Sequence, residues 1–326
     1  MALLITLLVT IILAVVVLEF NYLMRVHATL SGNLLNDLRT EAAARAGVEM
    51  AKARLLSDLQ ADLEAEFESD TLEEEWASEI EFEMGAITVK TVVADETAKL
   101  NVNRLITRPM SDTDIESVNQ TMADNLKRLL LLLELDQNLV DGIIDWLDED
   151  EQEQPFGAES SYYLSLNPPV LCKNGPIDSV DELLLVKGIT RKILYGDSET
   201  PGLAQFITVA GDKEGRININ TADEKTLSAV LNSESVASML IESRNETAFK
   251  SEEDMTTRYP DLNLAEKFTT QGLFFLVTST GELTPESASG RAVTLKALLK
   301  RIRSGESDQA GDQYMSVDTA YWKIER

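Results

Sequence analysis

A dense group of carboxylate side chains in the middle of the chain has the residue types of a cation site. Residues 145–151 read DWLDEDE, and Glu159 follows after a turn marked by Pro155 and Gly157. Asp145 and Asp148 are three positions apart, so both can face one point from a helix end, and Glu159 can return to that point. Oxygen ligands at this density suit Ca²⁺, which takes about six to eight of them. The spacing is not that of an EF-hand loop, and a solvated acidic loop is the alternative left open.

Two segments resemble helix-hairpin-helix elements, which in DNA-binding proteins direct backbone N–H groups at a phosphate. The first covers residues 180–190 and has Gly188 in its turn, and the second covers residues 217–244. In the second, residues 232–235 read NSES where a Pro-Gly-x-Gly hairpin is expected, and the surroundings are acidic. Both segments are therefore interpreted as packing modules, and we expect no nucleic-acid binding.

The rest of the composition argues against an enzyme. The chain of 326 residues has a single histidine, His27, and a single cysteine, Cys172. Cys–His and Ser–His nucleophilic sites, histidine-rich zinc sites and a disulfide framework are therefore not expected. Pairs of carboxylates, as in glycosidases, are unavoidable among 56 acidic residues and carry no specificity. The formal charge of −27 repels nucleic acid and anionic lipid headgroups.

The elements that position these residues begin with an apolar run at the N-terminus. Residues 2–18 contain no charge, and only Thr6 and Thr10 are polar. This length is at the lower limit for a helix that spans a bilayer. The alternative is a cleaved secretory signal, but no basic residue precedes the run and no A-x-A-like site follows it. We therefore expect a retained membrane anchor.

The helical pattern continues beyond the apolar run. Apolar residues at helix-like spacing extend from Leu23 to Leu55, residues 40–54 are rich in strong helix formers, and the first proline is Pro109. The pattern predicts one helix over residues 2–66, roughly 95 Å long, of which about 30 Å can lie in hydrocarbon.

The remaining pattern predicts strands on both sides of a helical block. The strand candidates cover residues 82–93, 99–103, 268–279, 291–302 and 314–324. The helix candidates cover residues 122–135, 140–147, 178–196 and 221–244, with a loop over residues 148–178.

These elements predict an α+β protein in which a helical domain is inserted into a sheet-containing domain. The transmembrane part of the N-terminal helix is assigned to residues 1–24 and its water-exposed part to residues 25–66. The α+β domain is assigned to residues 67–108 and 263–326, and the inserted domain to residues 109–262.

Several short motifs, in order along nearly the whole chain, resemble the minor pseudopilin K family of the type II secretion system (general secretion pathway protein K). They are 2–4 (ALL), 18–20 (LEF), 44–49 (ARAGVE), 95–103 (DETAKLNVN), 145–150 (DWLDED), 157–162 (GAESSY), the 182–188 segment and 217–222 (ININTA). Each motif is modest alone, and together they are specific.

The resemblance implies a pilin-like fold with a long N-terminal transmembrane helix, an antiparallel sheet and a large inserted helical domain of the helix-hairpin-helix or SAM-like type. It implies a position at the tip of the pseudopilus, with the I-type and J-type minor pseudopilins and the major pseudopilin as partners. It also implies calcium in the inserted domain, for which Asp145, Asp148, Asp150 and Glu159 are the candidate ligands.

We therefore predict a protein without enzymatic activity that initiates or caps the fibre by which folded periplasmic proteins are exported. It is expected to cross the inner membrane once, with its C-terminal body in the periplasm, and secreted exoproteins are a further candidate partner. The alternatives are a membrane-anchored DNA-uptake protein that uses the hairpin segments, and a membrane-anchored hydrolase, for which no convergent site is found.

Overall fold

The computed structural model describes residues 1–65, 69–108, 116–283, 292–303 and 315–325. Its helices are α1 (Ala2–Glu64), α2 (Gln120–Leu132), α3 (Leu139–Leu147), α4 (Ser160–Leu164), α5 (Arg191–Tyr195), α6 (Glu224–Leu231), α7 (Glu234–Glu246), α8 (Glu252–Arg258) and α9 (Leu264–Lys267). Its strands are β1 (Ile80–Met84), β2 (Ile87–Asp95), β3 (Leu100–Asn101), β4 (Ile106–Thr107), β5 (Ser117–Val118), β6 (Ile207–Thr208), β7 (Ile217–Asn218), β8 (Phe268–Thr269), β9 (Phe274–Leu283), β10 (Ala292–Arg303) and β11 (Met315–Glu325).

The N-terminal helix α1 runs without interruption from Ala2 to Glu64. The prediction of one helix over residues 2–66 is confirmed as far as Glu64, and its predicted last residue lies outside the described residues. Every side chain from Met1 to Gly32 is exposed, whereas the later part of α1 buries a stripe that begins at Thr40. By length and composition, α1 can cross a membrane.

A five-stranded antiparallel sheet lies against the second half of α1. Its strand order is β1-β2-β9-β10-β11, so β2 and β9 are neighbours although the long helical region separates them in sequence. Side chains alternate strictly along β2, where Ile87, Val89, Thr91 and Val93 are buried. The α+β class predicted from the sequence is confirmed.

Three strand predictions differ from the structure. The strand expected over residues 99–103 is shortened to β3, because a 3-10 helix (Val102–Leu105) follows it directly. The single strand expected over residues 82–93 is a hairpin of β1 and β2, because Gly85 adopts a positive φ of 66° and reverses the chain. The strand expected over residues 268–279 is likewise divided into β8, which pairs with β7, and β9, which belongs to the sheet.

Helix α1 approaches the sheet closely at two glycines, one on the helix and one on the sheet. A Cβ atom at Gly47 would lie 2.3 Å from Ser279 Oγ and Thr91 Oγ1, and one at Gly281 would lie 2.5 Å from the carbonyl oxygen of Thr40. The core between helix and sheet is filled by larger residues on either side of this contact. They include Ala44, Val48, Leu55, Trp76 and Phe275.

The residues between β2 and β9 (96–273), here called the helical body, have a hydrophobic core of their own that draws on residues from Ala98 to Phe268. The predicted helices over 122–135, 140–147 and 221–244 are confirmed as α2, α3 and the pair α6–α7. The segment predicted as a loop over 148–178 contains the short helix α4. The domain boundaries stay a prediction, and the start of the inserted domain at residue 109 lies outside the described residues.

The helical body joins the sheet at the end that lies farthest from the exposed apolar part of α1. Thr40 of α1 contacts the Gly281 end of β9, whereas Asp58 of α1 pairs with Arg301 at the other end of the sheet. Asp95, the last residue of β2, is at that same end because it pairs with Phe275 in the sheet. Thr40 and Asp58 are separated by about 27 Å along the helix axis.

Candidate metal centre

Three of the predicted ligands meet where helix α3 ends. Asp145 is in the last turn of α3, Asp148 is the residue at which the chain leaves the helix in an extended conformation, and Glu159 directly precedes α4. Each offers a carboxylate oxygen, and these three oxygens lie within 4.8 Å of one another. The three-residue spacing of the aspartates and the return of the chain at Glu159 therefore bring the side chains together, as the sequence predicts.

The loop between Asp148 and Glu159 is folded around Asp145. Both carboxylate oxygens of Asp145 accept a hydrogen bond from the backbone N–H of Gln154 at 3.1 Å. A Cβ atom at Gly157 would lie 1.9 Å from Asp145 Oδ2, so only glycine fits at this position. Lys187 Nζ donates to the carbonyl oxygen of Gly157 at 2.7 Å and fixes the loop to the helical body.

Several carboxylate oxygens in this cluster are buried without a partner. Asp148 Oδ1 and both oxygens of Glu159 have no hydrogen-bond partner in the described part of the chain, although Asp148 is only 6% exposed and Glu159 only 3% exposed. Buried acceptors normally find a donor or an ion. Hard oxygen atoms that converge from three carboxylates, with those of Asp148 and Glu159 partly or wholly unpaired, match the ligands that Ca²⁺ prefers, so these residues fit a divalent cation.

The pKa values of the three carboxyl groups are raised, as expected for carboxylates that are buried close together. Burial, with smaller contributions from neighbouring carboxylates, raises the pKa of Asp145 to about 6 and that of Asp148 to about 7. The pKa of Glu159 rises to about 8 for the same reasons, with burial again the largest cause and the charges of Asp145 and Asp148 next. A divalent cation would stabilise the ionised form of all three groups by direct charge pairing.

Asp150, the fourth predicted ligand, is placed beside this cluster and not within it. It is exposed, and its Oδ1 accepts the backbone N–H of Gln152 at 2.7 Å. Asp148, Asp150 and Glu116 line a neighbouring cavity of about 270 Å³. Glu116 is a residue that sequence reasoning missed, because it is 32 positions before Asp148 and no local pattern connects the two.

A second group of carboxylates, Asp58, Asp70 and Glu74, also lies within reach of a common point. Here two of the three carboxylates already have a cationic partner, because the buried guanidinium of Arg301 donates to both Asp58 and Asp70. Glu74 in turn accepts the indole N–H of Trp76 at 2.6 Å. This group is a structural ion-pair network.

The hairpin segments are built as packing modules. In the first, a 3-10 turn (Val180–Leu185) and α5 are joined through Gly188. In the second, Asn232 adopts a left-handed conformation between α6 and α7. Helices α6 and α7 begin at Glu224 and Glu234, and a carboxylate at a helix N-terminus opposes binding of a phosphate there.

Comparison with known proteins gives a consistent result. The family model described as type II secretion system (T2SS), protein K matches residues 98–195, which include all four predicted ligands. Type II secretion system protein K of Pseudomonas aeruginosa is 29% identical over 243 residues, which are 71% of this chain and 68% of that protein. The protein of the same name from Aeromonas hydrophila is 27% identical over 274 residues, 76% of this chain and 79% of that protein.

The fold is also similar to that of a solved structure. A chain in the crystal structure of the GspK-GspI-GspJ complex from the enterotoxigenic Escherichia coli type 2 secretion system superposes with a TM-score of 0.64. The match covers 91% of this chain and 99% of that chain at 17% sequence identity. This similarity shows the fold.

Proposed function

Because this chain belongs to the type II secretion system protein K family, we propose that it is a minor pseudopilin that initiates or caps the pseudopilus at its tip. In this role it assembles with the I-type and J-type minor pseudopilins and with the major pseudopilin. The family is a component of the secretion machinery, and the work proposed for this chain is assembly and not catalysis.

The observation that carries the proposal is an apolar stripe on the part of α1 that lies beyond the membrane-spanning residues. Val26, Leu30, Leu34 and Leu38 repeat at helical spacing and are all exposed, and Leu34 is 61% exposed. The head of the protein covers none of these side chains, and an apolar stripe of this length in water calls for a partner. Helices of neighbouring pseudopilins are partners of the required shape.

The position of the helical body supports a place at the tip. The helical body is attached at the sheet end near Asp58 and Arg301, away from the membrane-spanning end of α1. In a fibre whose subunits carry their N-terminal helices towards the membrane, this bulk lies above the subunit. It would obstruct a further subunit there, whereas the stripe on α1 leaves the lower side free for assembly.

The proposed location follows from the same geometry. Helix α1 anchors the chain in the inner membrane by a single span, and the sheet and helical body lie in the periplasm. Asp145, Asp148 and Glu159 bind Ca²⁺ there, and Asp150 contributes from the neighbouring cavity. The ion supplies the positive charge that the unpaired oxygens of the cluster lack and so holds the loop between α3 and α4 in place. Secreted exoproteins remain a further candidate partner of the helical body.

A DNA-uptake role for the hairpin segments is not favoured. The family of the chain is a secretion component, and the helix N-termini that would meet phosphates carry glutamates.

The test is secretion itself. The gene is deleted in the host and exoprotein is measured in medium and periplasm, after complementation with the parent chain or with Leu30→Asn/Leu34→Asn/Leu38→Asn. The parent chain should restore export, and the asparagine variant should leave exoprotein in the periplasm. The matched control replaces the same three leucines with methionine, which keeps the stripe apolar and should restore export. Normal secretion in the deletion strain, or full export with the asparagine variant, would contradict the proposal.

A further inference from the structure

A second cavity in the helical body differs from the rest of this acidic protein in its charge. It has a volume of about 670 Å³ and lies between the segment Asn101–Arg108, the start of α2 at Asn119 and the segment Val209–Glu214. Among the described lining residues, three are cations (Arg104, Arg108 and Lys213) and one is a carboxylate (Glu214). In a chain with a formal charge of −27, this excess of positive charge at one cavity is a local exception.

Two of these cations have no carboxylate partner. Arg108 Nε lies 3.7 Å from Glu116 Oε1, whereas the side chains of Arg104 and Lys213 form no ion pair or hydrogen bond with any residue that the structure describes. The aliphatic part of the Arg104 side chain packs over Gly215, and a Cβ atom placed on Gly215 would lie 3.6 Å from Arg104 Cγ. The guanidinium is therefore supported by packing while its donors remain available.

Two amides add further unused donors. Asn101 is 7% exposed, and its Oδ1 accepts the backbone N–H of Asn103 at 3.0 Å. The Oδ1 of Asn119 accepts the N–H of Met122 at 3.1 Å. Within the described ranges, the Nδ2 groups of Asn101 and Asn119 have no acceptor. Asn119 also precedes the first turn of α2, where the helix dipole favours a negative charge.

The acceptors near the cavity are already engaged elsewhere. The carboxylate of Glu214 is 3.1 Å from Arg216 Nε, and that of Asp212 is 3.5 Å from Arg216 Nη2. Asn103 uses its whole amide group to bind the backbone of Ile177 and Val209. The cavity thus offers more donors and positive charge than acceptors, which favours an acceptor-rich anion as its ligand.

We propose that this cavity binds the carboxylate side chains of an acidic segment of a protein partner. The volume is in the range of roughly 300–1,000 Å³ that encloses ligands much larger than a single small anion. A peptide that carries successive carboxylates can satisfy Arg104 and Lys213 together. The acidic remainder of the chain repels such a segment, so its contact is confined to this cavity. The site is independent of the secretion role and of the calcium cluster.

The test uses the full-length chain in detergent micelles and a hexaglutamate peptide as probe, with binding measured by isothermal titration calorimetry at low and at physiological ionic strength. The parent should bind the peptide saturably and more weakly at higher salt. Arg104→Gln and Lys213→Gln should each raise Kd about tenfold, as expected for loss of one charge-assisted hydrogen bond. Lys192→Gln removes a cation that is paired with Asp197 outside the cavity and should leave Kd unchanged.

Inorganic phosphate is the second probe and separates a protein segment from a free anion. Phosphate binding that depends on Arg104, without binding of the peptide, would overturn the proposal. Absence of peptide binding, or peptide binding that Arg104→Gln and Lys213→Gln both leave unchanged, would also overturn it. Because Lys213 is exposed and lies on a loop, its variant reports on binding even if Arg104→Gln disturbs the fold.

Discussion

Asp95 and Asn218 are 123 positions apart, and they are joined by a buried hydrogen bond of 2.9 Å from the amide Nδ2 to the carboxylate Oδ2. Asp95 ends a strand of the sheet and Asn218 belongs to the helical body, so the bond connects the two parts of the molecule. The same oxygen accepts the hydroxyl of Thr221 at 2.7 Å, and Asp95 Oδ1 accepts the N–H of Thr97. One carboxylate therefore organises the junction between sheet and helical body.

The junction makes the stability of the protein depend on pH. Burial raises the pKa of Asp95 from 3.8 to about 6. Between pH 3.8 and about pH 6, Asp95 is therefore mostly protonated in the folded protein and mostly ionised in the unfolded chain. The stabilisation that this proton gives is fully present below about pH 4, and it is lost as pH rises to about 6. The shift corresponds to a change of about 3 kcal/mol in the free energy of unfolding.

Asp95→Asn removes this titration. The difference in unfolding free energy between parent and variant should therefore change by about 3 kcal/mol from pH 4 to pH 7. Denaturant unfolding at several pH values measures it. Asp318→Asn, at an exposed position of β11, is the control and should follow the parent curve. A parent–Asp95→Asn difference that does not vary with pH would disprove this prediction.

Neutralising one ligand should have opposite effects with and without calcium. In a chelator, Asp148→Asn relieves the repulsion among buried carboxylates and should raise the unfolding temperature above that of the parent. At a calcium concentration of about 100 times Kd, the parent gains about 2.7 kcal/mol, and the variant should lose most of this gain.

Thermal unfolding with calcium or with chelator measures both effects. Asp150→Asn should reduce the calcium effect less, because Asp150 lies outside the group of three converging oxygens. Equal calcium stabilisation of the parent and of Asp148→Asn would exclude the cluster as the binding site.

The glycine that faces Asp145 should be as necessary as the ligands. Gly157→Ala places a methyl group where Asp145 Oδ2 now lies, so the loop must move away and calcium affinity should fall by at least about tenfold. Titration calorimetry with calcium measures the loss. Gly175→Ala is the matched control, because its added Cβ has no neighbour nearer than 3.6 Å. A calcium affinity of Gly157→Ala equal to that of Gly175→Ala would be the contrary result.

The two glycines of α1 should respond in opposite directions to alanine. Gly47→Ala forces the helix away from Ser279 and Thr91 and should cost about 1–3 kcal/mol of stability. At Gly32 an added Cβ meets nothing within 4 Å, so Gly32→Ala should be neutral or stabilise the helix by up to about 1 kcal/mol. Denaturant unfolding of each variant in micelles measures the difference. A stable Gly47→Ala would contradict the close contact between α1 and the sheet.

Features that depend on local spacing could be predicted from the sequence. The continuous pattern of apolar residues predicted the length of α1, and the three-residue separation of Asp145 and Asp148 predicted that two candidate ligands lie on one side of a helix end. The pairing of Arg301 with Asp58 and Asp70 could not be predicted, because these residues are 243 and 231 positions apart. The same holds for Glu116 beside Asp148 and for Lys213 opposite Arg104. Such contacts depend on how distant parts of the chain fold together, and no local pattern in the sequence predicts that.

The unbroken course of α1 fixes the direction in which the head faces. Each residue of an α-helix advances the chain by about 1.5 Å and turns it by about 100°. The continuous helix therefore fixes the angular positions of three groups about its axis. They are the apolar residues near the N-terminus, the leucine stripe and the residues that contact the sheet. Adding or removing one residue between Leu38 and Thr40 would scarcely change the height of the head above the bilayer. It would, however, rotate the whole head by more than a quarter turn relative to the leucine stripe.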